Sequence, residues 1–175
     1  RKVSTDKILI VDDEERMCQS LSRLLSDLGY QTKAVFEPVT ALKEMESDAY
    51  DLVLTDIKMP GLDGFELLKA AKKKDKDSVV VFMTGYGSLE SAVKAISLGA
   101  YDYLLKPLEM EDLKLTIQRG LEKRKADLEK GKLLDELKNI NATLQKKVRE
   151  LDALYQAGKS ISTTVELSKL LPTIL

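Results

Sequence analysis

Residues 51–61 have the sequence DLVLTDIKMPG, in which a short apolar run ends at Asp56 and turn-forming residues follow at once. An apolar run of this length is typical of a buried strand in a parallel sheet. Asp56 would then lie where the strand meets a loop, at the carboxyl edge of the sheet. Because ligands of open α/β sheets bind at that edge, Asp56 is the first candidate site residue.

Four more polar residues follow apolar runs in the same way. They are Asp12 and Asp13 after residues 8–11, Thr84 after residues 79–83, and Lys106 after residues 103–105. Alone, the two acids would be interpreted as a helix cap, Thr84 as a turn residue and Lys106 as the entry to a loop. Together at one sheet edge, three carboxylates, a hydroxyl and an ammonium group can hold a divalent cation and receive a phosphoryl group. The sequence therefore predicts one joint site.

Apolar runs alternate with amphipathic segments through about residue 106. Strands are predicted near residues 7–11, 31–35, 51–55, 79–83 and 101–105. Helices are predicted between them, one with apolar residues from Met17 to Leu28 before a terminating Gly29, and one opening at Pro38. This alternation predicts an α/β fold with helices on both faces of a five-stranded parallel sheet. The flavodoxin-like strand order 2-1-3-4-5 would place the first and third strands side by side, with their terminal acids together.

The region after Pro107 has a different pattern. Leu113, Ile117 and Leu121 predict a fifth helix whose first turns pack on the sheet. Further along, apolar residues recur in a heptad repeat. Its a positions are Leu134, Asn141, Val148 and Tyr155, and its d positions are Leu137, Leu144 and Leu151. We predict a coiled coil of two chains in which the polar a residue sets register and oligomer number, the alternative being a solvated helix that folds back.

These patterns divide the chain into residues 1–122, the globular domain, residues 123–158, the coiled-coil helix, and residues 159–175, the start of a downstream domain. Gly158 is expected to interrupt the long helix, and Thr163 and Glu166 have the spacing of a capping box that would begin another. Because the chain opens without Met and stops inside an apolar pattern, we expect it to be a fragment of a longer protein.

Composition excludes several functions. With a net charge of −1, the chain has no overall electrostatic attraction for nucleic acid or an anionic membrane. The basic cluster formed by Lys72–Lys74 and Lys76 is offset by Asp75 and Asp77. No apolar run approaches the roughly 18 residues of a membrane span. The absence of histidine excludes Ser-His-Asp triads and imidazole zinc sites. The one cysteine, Cys18, excludes an internal disulfide and indicates a reducing, cytoplasmic location.

Four segments carry a resemblance to the receiver domain of two-component response regulators. They are ILIVDDEE at residues 8–15, DIKMPGLDG at 56–64, MTGYG at 83–87 and GAYDYLLKP at 99–107. The resemblance covers about residues 5–122, and the loops look most like nitrogen-regulatory receivers. Residues 151–162 resemble the beginning of a GAF sensory domain reached through a signalling helix.

The resemblance implies that Asp56 is phosphorylated by a sensor histidine kinase with Mg²⁺ as the required cofactor. Mg²⁺ would contact Asp13, Asp56 and the backbone carbonyl of Lys58, with Asp12 nearby, acting through water or orienting its neighbours. In the family, residues at the positions of Lys106 and Thr84 contact the phosphoryl group.

Other positions carry further roles by the same resemblance. Thr84 and Tyr103 match the switch hydroxyl and the switch aromatic. The Lys106–Pro107 bond is expected to be cis. Lys58 and Tyr86 occupy the two positions that tune dephosphorylation.

The resulting hypothesis is a phosphoacceptor that is not an enzyme and that signals through a dimeric helix to a downstream output module. One alternative is a phosphatase with an aspartyl-phosphate intermediate. Haloacid-dehalogenase-type hydrolases, however, place the nucleophile after the first strand as Asp-x-Asp, whereas the isolated acid here follows the third. A second alternative is a structural dimeriser with a degenerate site, against which the intact set of site residues argues.

Overall fold

The chain is described by a computed structural model that covers residues 6–85 and 87–170, with side chains as far as residue 159. Within these residues, five strands alternate with five helices. In chain order they are β1 (Lys7–Val11), α1 (Glu15–Asp27), β2 (Gln31–Val35), α2 (Pro38–Ser47), β3 (Leu52–Thr55), α3 (Gly64–Lys74), β4 (Val79–Thr84), α4 (Leu89–Ser97), β5 (Asp102–Leu105) and α5 (Met110–Leu170). One compact unit extends to Leu128 and a second begins at Glu129.

The strands form one parallel sheet in the order β2-β1-β3-β4-β5, which confirms the predicted fold. Every strand boundary lies within one residue of its prediction. β1 and β3 are neighbours, and Val11 pairs with Thr55 in their register. Asp12 and Asp56, the next residue of each strand, therefore leave the sheet side by side.

Side chains of the central strands alternate between two hydrophobic clusters, one on each face of the sheet. Leu9, Val53 and Phe82 pack against α2 and α3 on one face, whereas Ile10 and Leu54 pack against α1 and α5 on the other. The second cluster includes Leu113, Ile117 and Leu121, so the prediction that the first turns of α5 cover the sheet is confirmed. Cys18 also lies there, and burial raises the pKa of its thiol to about 11, as expected of an unreactive core cysteine.

Ion pairs at the amino edge of the sheet attach α5 to the rest of the first unit. Arg124, whose side chain is 10% exposed, lies 3.0 Å from Asp51 and 2.7 Å from Asp75. Lys125 pairs with Asp6 at 2.7 Å. Because these acids flank β1, β3 and α3, the contacts fix this part of α5 to several elements of the sheet layer at once.

Helix α5 continues through Gly158, so the prediction that this glycine interrupts it is wrong. The predicted separate helix with a capping box at Thr163 and Glu166 is also wrong, because the same helix runs to Leu170. One glycine costs about 1 kcal/mol relative to alanine within a helix, which is too little to end a helix supported on both sides. Residues 171–175 of the predicted downstream domain lie outside the described chain. Among the described residues, no helix has the length and apolar character that a membrane crossing requires.

Candidate functional site

Lys106 joins the acids of β1 and β3 into one cluster. Its ammonium group donates hydrogen bonds to the carboxylate oxygens of Asp12 at 2.7 Å and Asp56 at 2.9 Å. Lys106 follows β5 at one edge of the sheet, and its side chain, 13% exposed, reaches across the end of β4. The structure thus brings together three residues that are distant in sequence.

Three carboxylates meet at this edge. One oxygen from each of Asp12, Asp13 and Asp56 lies within 4.8 Å of the other two. Asp12 is fully buried and Asp56 nearly so, while Asp13 is exposed. Backbone N–H groups of the following loops hold the two buried acids, because Glu14 donates to Asp12 at 2.9 Å and Lys58 donates to Asp56 at 3.1 Å.

The donor set fits a hard divalent cation such as Mg²⁺, which prefers carboxylate and carbonyl oxygens. Each of the three carboxylates carries one negative charge when it is ionised, and Lys106 neutralises only one of these charges. Burial raises the pKa of Asp12, against the opposing effect of its hydrogen bonds from Lys106 and Glu14. Burial alone would lower the pKa of Lys106, but its hydrogen bonds to Asp12 and Asp56 outweigh burial and the pKa is raised. The site therefore keeps a charged lysine and an excess of negative charge that a dication would balance.

Thr84 and Tyr103 lie on the strands beside this cluster. Thr84 is the last residue of β4 and is fully buried, and its carbonyl oxygen accepts the backbone N–H of Lys106 at 2.8 Å. The hydroxyl of Tyr103 on β5 is hydrogen-bonded to Ser91 at 3.0 Å. The bond between Lys106 and Pro107 is cis, as expected. Tyr86 lies outside the described residues, and the metal contact of the Lys58 carbonyl stays a prediction.

Gly64 is a site residue whose role the sequence did not reveal. It opens α3, and a Cβ at this position would lie 2.2 Å from the backbone oxygen of Asp56 and 2.9 Å from Phe82. Its N–H also donates to the carbonyl of Ile57 at 2.9 Å. The available signal was a glycine directly after the helix cap Asp63, where most residues have a better helix propensity.

Comparisons with known proteins agree with this geometry. A family model described as response regulator receiver domain matches residues 8–118. Transcriptional regulatory protein ZraR of Klebsiella oxytoca is 40% identical over 114 residues, which are 65% of this chain and 26% of that protein. Sporulation initiation phosphotransferase F of Bacillus subtilis strain 168 is 35% identical over 116 residues, 66% of this chain and 94% of that protein.

The solved structure of the beryllofluoride-activated NtrC4 receiver domain dimer has a TM-score of 0.64 and 37% identity. The match covers 67% of this chain and 98% of that one. The chain spans about a quarter of the length of ZraR.

Proposed function

We propose that this chain, which belongs to the response regulator receiver family, accepts a phosphoryl group on Asp56 from a sensor histidine kinase. The observation that carries the proposal is the position of Asp56. Its carboxylate lies at the carboxyl edge of the sheet, bonded to Lys106 and within reach of two further carboxylates. An isolated aspartate in a turn would have neither partner.

The chemistry follows from these contacts. A carboxylate oxygen of Asp56 attacks the phosphorus of the donor, and the bond from phosphorus to the leaving nitrogen breaks. Lys106 compensates the negative charge that arrives, and the hydroxyl of Thr84 can donate a hydrogen bond to a phosphoryl oxygen. Asp12, Asp13 and Asp56, with the Lys58 carbonyl, would hold Mg²⁺, which supplies charge neutralisation at the transferred group. No side chain has to provide a proton, so the protein has only to position the reacting groups and to neutralise the charge of the phosphoryl group.

Phosphoryl uptake from a small donor tests this proposal. Incubation with acetyl phosphate and Mg²⁺ is expected to increase the intact mass by one phosphoryl group, because the receiver supplies the chemistry. EDTA should prevent the increase, since three carboxylates that lack a counter-cation repel the incoming anion. No mass change with Mg²⁺ present would refute the proposal. Steady turnover of an unrelated phosphomonoester would favour the phosphatase alternative instead.

We expect the two switch residues, Thr84 and Tyr103, to change position when Asp56 is phosphorylated. Thr84 would move towards the phosphoryl group, and the ring of Tyr103 would turn, which changes the surface of α4, β5 and α5. A coupling of about 1–3 kcal/mol between the site and this surface would be an ordinary size for such a switch. The chain would act as a cytoplasmic signalling protein rather than an enzyme, without direct contact with nucleic acid or membrane.

The second unit supports a dimer in the same proposal. The heptad residues at its apolar a and d positions are all exposed in the single chain. They are Leu134, Leu137, Leu144, Val148, Leu151 and Tyr155. A second copy of the helix is the partner that would cover a heptad stripe, with Asn141 pairing at its a position. Residues 1–122 would be the receiver and residues 123–158 the coiled-coil signalling helix. Residues 159–175 would be the start of an output module, which the resemblance of residues 151–162 suggests is a GAF domain.

Leu144→Glu is expected to convert the dimer to monomers. Burial of a leucine contributes about 1.5–3 kcal/mol, and both copies lose it together, so the dissociation constant should rise by about 100-fold or more. Light scattering across a concentration series measures this change. Lys146→Glu introduces the same residue at an outer f position and should leave the mass unchanged. Equal dissociation constants for the two variants would contradict the proposed seam.

A further inference from the structure

The hydroxyl of Tyr103 is joined to the amino-terminal cap of α4. Ser88 is the N-cap residue, and its hydroxyl accepts the backbone N–H of Ser91 at 3.1 Å. Ser91 completes the capping box, because its own hydroxyl accepts the backbone N–H of Ser88 at 3.2 Å. The same Ser91 oxygen lies 3.0 Å from the hydroxyl of Tyr103. The proposed switch aromatic and the cap of α4 thus share one atom.

That atom has more neighbours than it can bond. A serine hydroxyl has one proton and two lone pairs. The carbonyl oxygen of Ser88, at 2.9 Å, can only accept, so it takes the proton of Ser91. The N–H of Ser88 can only donate, so it occupies one lone pair. Two hydroxyls, those of Tyr103 and Ser88, each lie 3.0 Å away, and among the described residues they compete for the lone pair that is left.

We propose that Ser91 is a positioning residue for Tyr103, and that Ser88 and Tyr103 exchange places as donors to its hydroxyl. The proposal rests on the proposed function in one respect, since it takes Tyr103 as the aromatic residue that moves on phosphorylation. With the Tyr103 donor in place, the proton of Ser88 is left to solvent, because Ser88 is exposed. When the ring turns away, Ser88 donates to Ser91 and the capping box closes on itself.

The exchange makes the position of the ring easy to change. Ser91 keeps three hydrogen bonds in both arrangements, so no polar atom of the cap is left without a partner when Tyr103 departs. The phenol hydroxyl can then find water or another acceptor. A cap without a competing donor would hold the ring more firmly, and a cap without the Ser91 hydroxyl would not hold it at all. Ser91 and Ser88 therefore bias the same equilibrium in opposite directions.

Two substitutions separate these roles. Ser91→Ala removes the acceptor of the Tyr103 hydroxyl. Ser88→Asp keeps an N-cap acceptor of similar quality but has no proton to donate, so it removes the competitor. Ser97→Ala, at the other end of α4, deletes an exposed hydroxyl that donates to the carbonyl of Lys94 and serves as the control. Far-ultraviolet circular dichroism establishes that all three variants are folded.

Fluorotyrosine incorporation and ¹⁹F NMR report the ring position, with the Tyr103 signal assigned by its loss in Tyr103→Phe. Relative to wild type, the ¹⁹F resonance of Tyr103 is expected to shift in opposite directions in Ser91→Ala and Ser88→Asp. In Ser97→Ala the resonance should not shift. The midpoint of a beryllofluoride titration with Mg²⁺ should likewise move in opposite directions, by about two- to tenfold, the range that corresponds to one ordinary hydrogen bond. Combining Tyr103→Phe with Ser91→Ala should add nothing to the midpoint change of Tyr103→Phe alone.

Shifts of the same sign, or additive effects in the double variant, would overturn the proposal. The fluorine spectra recorded without beryllofluoride test the exchange by themselves. Failure of the wild-type protein to bind beryllofluoride would count against the proposed function and would leave the spectral result to decide the role of Ser91.

Discussion

Asp56→Asn is expected to abolish phosphoryl uptake from acetyl phosphate, with a loss of rate of at least about 1000-fold, as is usual when a covalent nucleophile is removed. The amide of asparagine has the shape of the carboxylate but lacks its charge and nucleophilicity. The neighbouring acids cannot replace it. Asp12 is fully buried and already accepts hydrogen bonds from Lys106 and Glu14. Asp13 is exposed, whereas Lys106, which compensates the phosphoryl charge in our proposal, donates its hydrogen bonds to Asp12 and Asp56. Intact-mass measurement over time gives the rate directly.

Asp63→Asn is the matched control for this experiment. Asp63 caps α3 by accepting the N–H of Glu66 at 3.1 Å, and it is exposed. Asparagine is an equally good N-cap, so the substitution makes the same chemical change in the same loop without loss of structure. Uptake should stay within about twofold of wild type, because such surface changes have little energetic effect. A phosphorylated Asp56→Asn protein would show that another residue is the acceptor.

The fold was predictable because its signals are local and agree with one another. The strands β3 and β4 are buried on both faces, which requires continuous apolar runs, and turn residues mark their ends. The prediction that Gly158 ends the helix was wrong because the local signal disagreed with its neighbours. A glycine was interpreted as a stop from its local preference, whereas a helix is cooperative and its neighbours on both sides extend it. Local propensity is a weak prior when the flanking sequence is helical.

The site was predictable to the level of strand ends and not further. Strand order places Asp12 and Asp56 side by side, so their proximity follows from topology. The contact of Tyr103 with Ser91 depends instead on how α4 packs against β5, which no residue spacing specifies. The same holds for Gly64, where the start of α3 packs so closely on the loop after β3 that a Cβ would lie 2.2 Å from the backbone oxygen of Asp56. Such contacts are consequences of packing and become visible only in three dimensions.

Gly64→Ala is expected to be the most destabilising single-methyl change among the glycines described. Its Cβ would lie 2.2 Å from the backbone oxygen of Asp56 and 3.1 Å from the Cα of Ile57. Both are backbone atoms, so neither can rotate away as a flexible side chain would. Either α3 or the loop after β3 must shift, and overpacking of this kind costs about 3 kcal/mol, a large part of the 5–15 kcal/mol stability of an ordinary domain.

The displacement should also reach the chemistry, because the atom that the methyl group meets belongs to Asp56 itself. A shift of about 1 Å at a reacting group can reduce a rate by about 100-fold, so phosphoryl uptake should fall even where the variant is fully folded. Urea unfolding followed by tyrosine fluorescence measures the stability, and intact mass measures the uptake. Gly85→Ala is the matched control, since a Cβ there meets nothing within 4 Å and its φ is not positive. Gly64→Ala with the stability and uptake rate of Gly85→Ala would show that α3 does not approach the phosphoacceptor as closely as the structure indicates.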